Sequence, residues 1–199
     1  MSPTSHVWRR RIPYLLIVLG GFALRLYRLG AESLWYDETV SAYLAAQSIP
    51  DLVAHTARDI HPPGYYLLLH LWARLAGDSE FALAFFSLIF GVLLIPLCYT
   101  LAGRLPWPGG KHGLGRDIAL WSALLVAVSP YHLWYSQEVR MYTLGAALGL
   151  VTLWCALELT NQRVGESGNQ GIRESGNLQI YKPAGRLGGS AKFRSEATS

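Results

Sequence analysis

The chain has 199 residues, 51% of them hydrophobic and only 15% charged, with seven Trp and a net charge of +4. A soluble domain is usually about a quarter charged, so this composition excludes a disordered chain and implies that many side chains never meet water. The excess of 17 Lys+Arg over 13 Asp+Glu would suggest a nucleic-acid partner if the cations shared one face of a folded domain, but they sit between apolar runs, as in a membrane protein.

The predicted fold is all-α: a polytopic integral membrane protein with about four transmembrane helices plus interfacial amphipathic helices in the first outer loop. Residues 1–11 form a basic N-terminus, 12–160 the transmembrane module and 161–199 a tail. A hydrocarbon core of about 30 Å takes roughly 20 helical residues. The first predicted span is Ile12–Leu29, with Arg25 and Arg28 late enough to reach an interface. Those arginines follow the apolar core directly, without a small-residue cleavage site, which predicts an uncleaved anchor rather than a signal peptide.

Next comes the Gly30–Glu80 segment, which opens with Leu34-Trp35-Tyr36-Asp37-Glu38 and a helix over Thr39–Gln47. Its later apolar run, Gly64–Gly77, is too short to span. There Tyr66, His70, Ala73, Arg74 and Gly77 make one helical stripe opposite Leu67, Leu68, Leu71, Trp72 and Leu75. That pattern predicts a helix lying in the interface. The second span, Phe81–Gly103, carries no charge. The third, Ile118–Gln137, places Tyr131, Trp134 and Tyr135 near its far end, where an aromatic belt belongs. The fourth, Met141–Leu159, is interrupted only by Glu158. Cys98 and Cys155 lie inside apolar runs and are expected to be reduced; two cysteines support no disulfide framework or Cys-based metal site. From Asn161 the chain is rich in Gly and Ser without helical periodicity, and Glu166-Ser167-Gly168-Asn169 recurs as Glu174-Ser175-Gly176-Asn177. The composition predicts a flexible low-complexity tail.

Charge sets the expected sidedness. With four spans, Arg9, Arg10, Arg11, Arg104, Lys111, Arg116 and the tail's cations share one side. Glu32, Asp37, Glu38, Asp51, Asp59, Asp78 and Glu80 face the other against only Arg58 and Arg74. The positive-inside rule puts both termini in the cytoplasm and the acidic loop outside. A fifth span at Gly64–Gly77 would reverse that agreement.

Three polar clusters gather on the predicted outer side: Leu34-Trp35-Tyr36-Asp37-Glu38, Arg58-Asp59-Ile60-His61-Pro62-Pro63, and Ser136-Gln137-Glu138-Val139-Arg140-Met141-Tyr142. Carboxylates held at an interface against aromatics and cations suit acid–base work, because desolvation and neighbours tune them. Simpler roles fit the same residues. Asp37 suits the cap of the Thr39–Gln47 helix with Glu38 in its first turn, and Asp59 and His61 suit the cap of the Gly64 helix. Glu138 and Arg140 suit an ion pair at a helix end. His70 suits a solvated or packed position, and two separate histidines are a weak metal signal. No P-loop, nucleophile elbow, zinc HExxH or Rossmann fingerprint is present.

The blocks Arg25–Ala45, Asp59–Trp72, Ser79–Leu105 and Ser129–Tyr142, in that order and spacing, resemble the N-terminal part of a GT-C class membrane glycosyltransferase over about residues 8–160. The family it most resembles is family 39, the protein mannosyltransferases and related aminoarabinose transferases. The resemblance implies an inverting hexosyltransferase that takes a sugar from a polyprenyl-phosphate carrier on the outer face of the cell membrane, for an acceptor protein or glycolipid. It implies Asp37 as the general base, supported by Glu38. It implies a cavity lined by Arg58, Asp59, His61, Glu138 and Tyr142, with Arg140 or Arg58 on the departing phosphate. It leaves open a divalent metal near the His61-Pro62-Pro63 block. Relatives run on for many further helices, so a truncated or frameshifted copy is expected here. The competing reading is a non-catalytic membrane protein that binds lipid or a partner through its interfacial helix.

Overall fold

A computed structural model of the chain describes residues 3–58, 61–105 and 114–180, with side chains over 11–58, 61–105 and 114–163. All regular structure among them is helical: α1 (Pro3–Leu26), α2 (Tyr36–Ala46), α3 (Ile49–Thr56), α4 (Gly64–Ala76), α5 (Glu80–Arg104), α6 (Leu114–Val128), α7 (Pro130–Gln137) and α8 (Tyr142–Ile180). The chain divides into two units, Met1–Cys155 and Ala156–Ser199. The described part of the second is the continuation of α8. Where the sequence predicts an irregular tail from Asn161, the backbone is helical to Ile180. Extending an existing helix adds one hydrogen bond per residue fixed and avoids the nucleation penalty. Residues 181–199 lie outside the described residues.

Among the described residues two helices are long and apolar enough to cross a membrane, Glu80–Arg104 and Tyr142–Arg163, and the bent pair α6–α7 makes a third if it counts as one span. Four were expected. The fourth expected span corresponds to α1, whose side chains are described only from Arg11 onward. This helix runs antiparallel along α5. The Tyr14 ring meets the Tyr99 ring at a tilt, centroids 4.5 Å apart, Gly21 meets Ile95, Gly91 meets Arg25 and Gly30 meets Phe81. The α6–α7 pair is bent by 54° at Ser129-Pro130, because proline cannot donate its backbone bond and its ring clashes with the preceding turn.

Small residues set the closeness of this packing. A Cβ on Gly91 would collide with Ser136 Oγ and lie 2.7 Å from Ser136 Cβ. Only a glycine lets α7 sit so near α5. Ala119, Ala123 and Ala127, spaced every four residues, bury the inner stripe of α6, while Trp121 and Leu125 stay exposed on its outer side.

The α4 helix has 13 residues, about 20 Å at 1.5 Å per residue, and does not span. Its stripes are disposed opposite to a helix with its polar face in water. Tyr66 and His70 are buried, and Leu68, Leu71 and Leu75 are exposed. His70 Nδ1 lies 2.8 Å from Ala45 O at the end of α2, so His70 is a packed residue. Trp72 Nε1 donates to Ala82 O at 2.7 Å, and the rings of Tyr65, Trp72 and Phe86 fasten α4 to α5.

Candidate active site

Several helix ends meet at the edge where α1 finishes, α5 and α8 begin and α7 finishes. Helix termini leave backbone groups unpaired, and here they are paired across elements. Arg25 is fully buried (0% exposed). Its guanidinium donates to Val126 O at 3.0 Å, Ala127 O at 3.1 Å and Gly21 O at 2.9 Å. Its Nε donates to Ser136 Oγ at 3.1 Å. Two of those carbonyls belong to the last turn of α6, where a cation also meets the negative end of the helix dipole. In return, Gln137 Nε2 donates to Arg25 O at 3.0 Å and Tyr27 O at 2.8 Å, closing the end of α1. Arg25 was expected to reach an interface; the break at Ser129-Pro130 turns it inward, because the broken helix exposes carbonyls that only a nearby donor can satisfy.

The turn Glu138–Met141 follows directly and is held from three sides. Ser87 Oγ donates to Arg140 O at 3.2 Å, and Thr143 Oγ1 donates to Ser87 O at 2.9 Å. From α2, Glu38 Oε1 accepts from Val139 N at 2.7 Å, and Glu38 Oε2 accepts from Trp35 N at 3.2 Å. The helix starts at Tyr36, three residues before the predicted Thr39, so both acids fall in its first turn. Glu38, not Asp37, is therefore the capping carboxylate, and its second oxygen ties α2 to the turn.

Asp37 is left for Arg140. Its Oδ2 lies 3.5 Å from Arg140 Nη1, with the Asp37 side chain 41% exposed and the Arg140 side chain 10%. Arg140 Nη1 also donates to Asp37 O at 3.4 Å, and Nη2 to Tyr142 Oη at 3.4 Å. The guanidinium lies 5.6 Å from the Tyr142 ring centroid. Burial works against the Arg140 charge, but Tyr142 and Asp37 outweigh it and hold the group firmly protonated. Glu138 is 8% exposed, and Trp134 Nε1 donates to its Oε1. Its Oε2, like Arg140 Nε, is buried with no hydrogen-bond partner. Burial pushes the Glu138 carboxyl above the ordinary glutamate range; the Trp134 bond and Arg140 oppose that rise, while Glu38 and Asp37 add to it.

A cavity of about 790 Å³ opens beside the turn, walled by Trp35, Glu38, Trp134, Tyr135, Glu138 and Tyr142 together with Tyr27, Arg28, Glu32 and Glu80. That volume lies in the range of small-molecule sites, roughly 300–1,000 Å³. Asp37 and Arg140 are not among its wall residues; they flank it through Glu38, Val139 and Tyr142.

Of the residues singled out in the sequence, the fold thus brings together Asp37, Glu38, Glu138, Arg140 and Tyr142. Arg58 stands in the exposed turn after α3, His61 is half-buried and Asp59 lies outside the described residues. The N-cap position of α4, expected at Asp59 or His61, is occupied by Pro63. Among the described residues no three His, Cys, Asp or Glu side chains gather as a metal site. Arg25, Ser87, Gly91 and Trp134 were not singled out as site residues. The one available signal was Arg25, a charge within an apolar run.

A family model described as dolichyl-phosphate-mannose-protein mannosyltransferase matches residues 60–166. The match takes in α4 to α7, the Glu138–Tyr142 turn and the start of α8, and leaves Asp37 and Glu38 before it. No curated protein and no solved structure matches the chain.

Proposed function

The chain belongs to the dolichyl-phosphate-mannose-protein mannosyltransferase family and is a membrane glycosyltransferase of the GT-C type; from that premise we propose that it transfers a sugar from a polyprenyl-phosphate carrier to an acceptor hydroxyl on the outer face of the membrane. The observation that carries this reading is the Asp37–Arg140 pair, 3.5 Å apart beside the cavity walled by Glu38, Glu138 and Tyr142. Asp37 accepts the proton of the acceptor hydroxyl. The oxygen then attacks the anomeric carbon, the bond to the carrier phosphate breaks, and its electron pair leaves on the phosphate with inversion at carbon. Arg140 meets that phosphate, since a guanidinium matches its oxygens in a bidentate fork. Glu38 keeps Asp37 in place by tying the first turn of α2 to Val139.

A positioned base contributes about 10²–10⁴-fold. In membranes carrying the chain, polyprenyl-phosphate mannose and an acceptor peptide, Asp37→Asn should lower transfer by that factor while the protein still inserts. Unchanged turnover removes Asp37 from the mechanism. The exposed Leu68, Leu71 and Leu75 of α4 favour a second reading, a non-catalytic protein that binds lipid through that face. It predicts no preference of the purified chain for polyprenyl-phosphate mannose over ordinary phospholipid.

A further inference from the structure

Resting on the glycosyltransferase reading, we propose that Glu138 determines sugar specificity: its unpartnered carboxylate oxygen accepts a hydrogen bond from one ring hydroxyl of the transferred sugar. Glu32 and Glu80 in the cavity wall are exposed to solvent, and the two acids of α2 are committed elsewhere. Glu38 spends both oxygens on backbone N–H groups, and Asp37 faces Arg140. Glu138 alone keeps a buried oxygen without a partner, although its other oxygen is anchored by Trp134. A buried acceptor left unsatisfied costs the fold its full desolvation penalty, so a group retained in that state calls for a partner from outside the chain.

The setting says what kind of ligand. Glu138 and Trp134 share the cavity wall with Trp35 and Tyr142. A sugar ring offers apolar C–H faces to such aromatic walls and hydroxyl donors along its edge. Glu138 lies in the cavity wall, and the last torsion of a glutamate side chain is broad, so its carboxylate can turn to meet a hydroxyl that enters there. Hydrogen bonds to a charged group are stronger than neutral ones, which makes the loss of one hydroxyl measurable.

The test uses the full chain in detergent or nanodiscs with polyprenyl-phosphate mannose and its 2-, 3-, 4- and 6-deoxy analogues. The wild type should lose roughly 10- to 100-fold in affinity at one deoxy position, and Glu138→Gln should bind that analogue and the parent within a few-fold of each other. Trp134→Phe, which keeps a ring in the wall but releases Oε1, should show a smaller loss of the same discrimination. Equal weakening of every analogue by Glu138→Gln, or discrimination retained at the wild-type position in both variants, overturns the assignment of Glu138. A wild type that prefers mannosyl carrier to bare polyprenyl phosphate but penalises no deoxy position also overturns it. A wild type with no such preference overturns the glycosyltransferase reading itself, a separate and recognisable failure.

Discussion

Protonation at Glu138 reaches the proposed site directly. Burial favours the neutral carboxyl, so on acidification Glu138 gains its proton before an ordinary glutamate does. The sign follows: a raised carboxyl carries a cost to folding above its own titration point, and that cost is relieved as pH falls through it. Sugar binding has the opposite sense, because only the anion gives the charge-assisted bond. Donor affinity should therefore fall on acidification, beginning above the usual glutamate range. Glu138→Gln should flatten that limb. A wild-type affinity that rises as pH falls through this window contradicts the role given to the anion. The residue types at this edge were readable from the sequence because chemistry restricts them: carboxylates, a guanidinium and aromatics spaced between apolar runs. Which carboxylate caps and which pairs was not readable, since Asp37 and Glu38 are adjacent and both lie in a helix's first turn, where either charge is favourable. The choice is made by Val139 N, about a hundred residues away in sequence.

Among the elements, α7 transmits the geometry of the bundle to the Glu138–Arg140 turn, and Gly91 sets how near α7 stands. Gly91→Ala would put a methyl group inside the van der Waals envelope of Ser136, and overpacking of this kind costs about 1–3 kcal/mol. A lowered thermal midpoint and weakened donor binding are expected together, since displacing α7 moves the turn that follows it. Adding Ser136→Gly should recover most of both losses, although it forfeits the bond from Arg25. A double variant less stable than Gly91→Ala alone would show that the contact is not the cause. Helical periodicity made these elements legible but not their ends. The third apolar run reads as one span because every residue from Ile118 to Val128 is uncharged; only Pro130 marks the 54° bend. Arg25 then reads as an interfacial arginine, because no pattern within α1 reports the broken helix whose carbonyls it takes. Likewise the stripe on α4 was legible, but the side it faces depends on α2 and α5 supplying Ala45 O and Ala82 O to His70 and Trp72.

At the scale of the whole molecule, charge and helix direction point the same way. The end of α1 and the starts of α5 and α8 share the edge that holds Asp37, Glu38, Glu80 and Glu138. Arg104, at the far end of α5, lies over the ring of Trp154 on α8, away from that edge. Cations retained in the cytoplasm would leave the acidic edge outside, where a lipid-linked donor must be used if the proposed orientation holds. Cysteine accessibility tests this. With Cys98 and Cys155 replaced by Ala, Ala31→Cys marks the exposed turn between α1 and α2, and Leu105→Cys marks the exposed end of α5. On intact cells a membrane-impermeant maleimide should label the first and spare the second until the membrane is opened. The reverse pattern inverts the protein and places the cavity in the cytoplasm, which would exclude an outer-face acceptor. Labelling of both in intact cells would mean that α5 does not cross the bilayer. In that case the apolar faces of α1, α4 and α6 left uncovered in this fold, Leu16, Leu71, Trp121 and Leu125 among them, would need another partner than lipid.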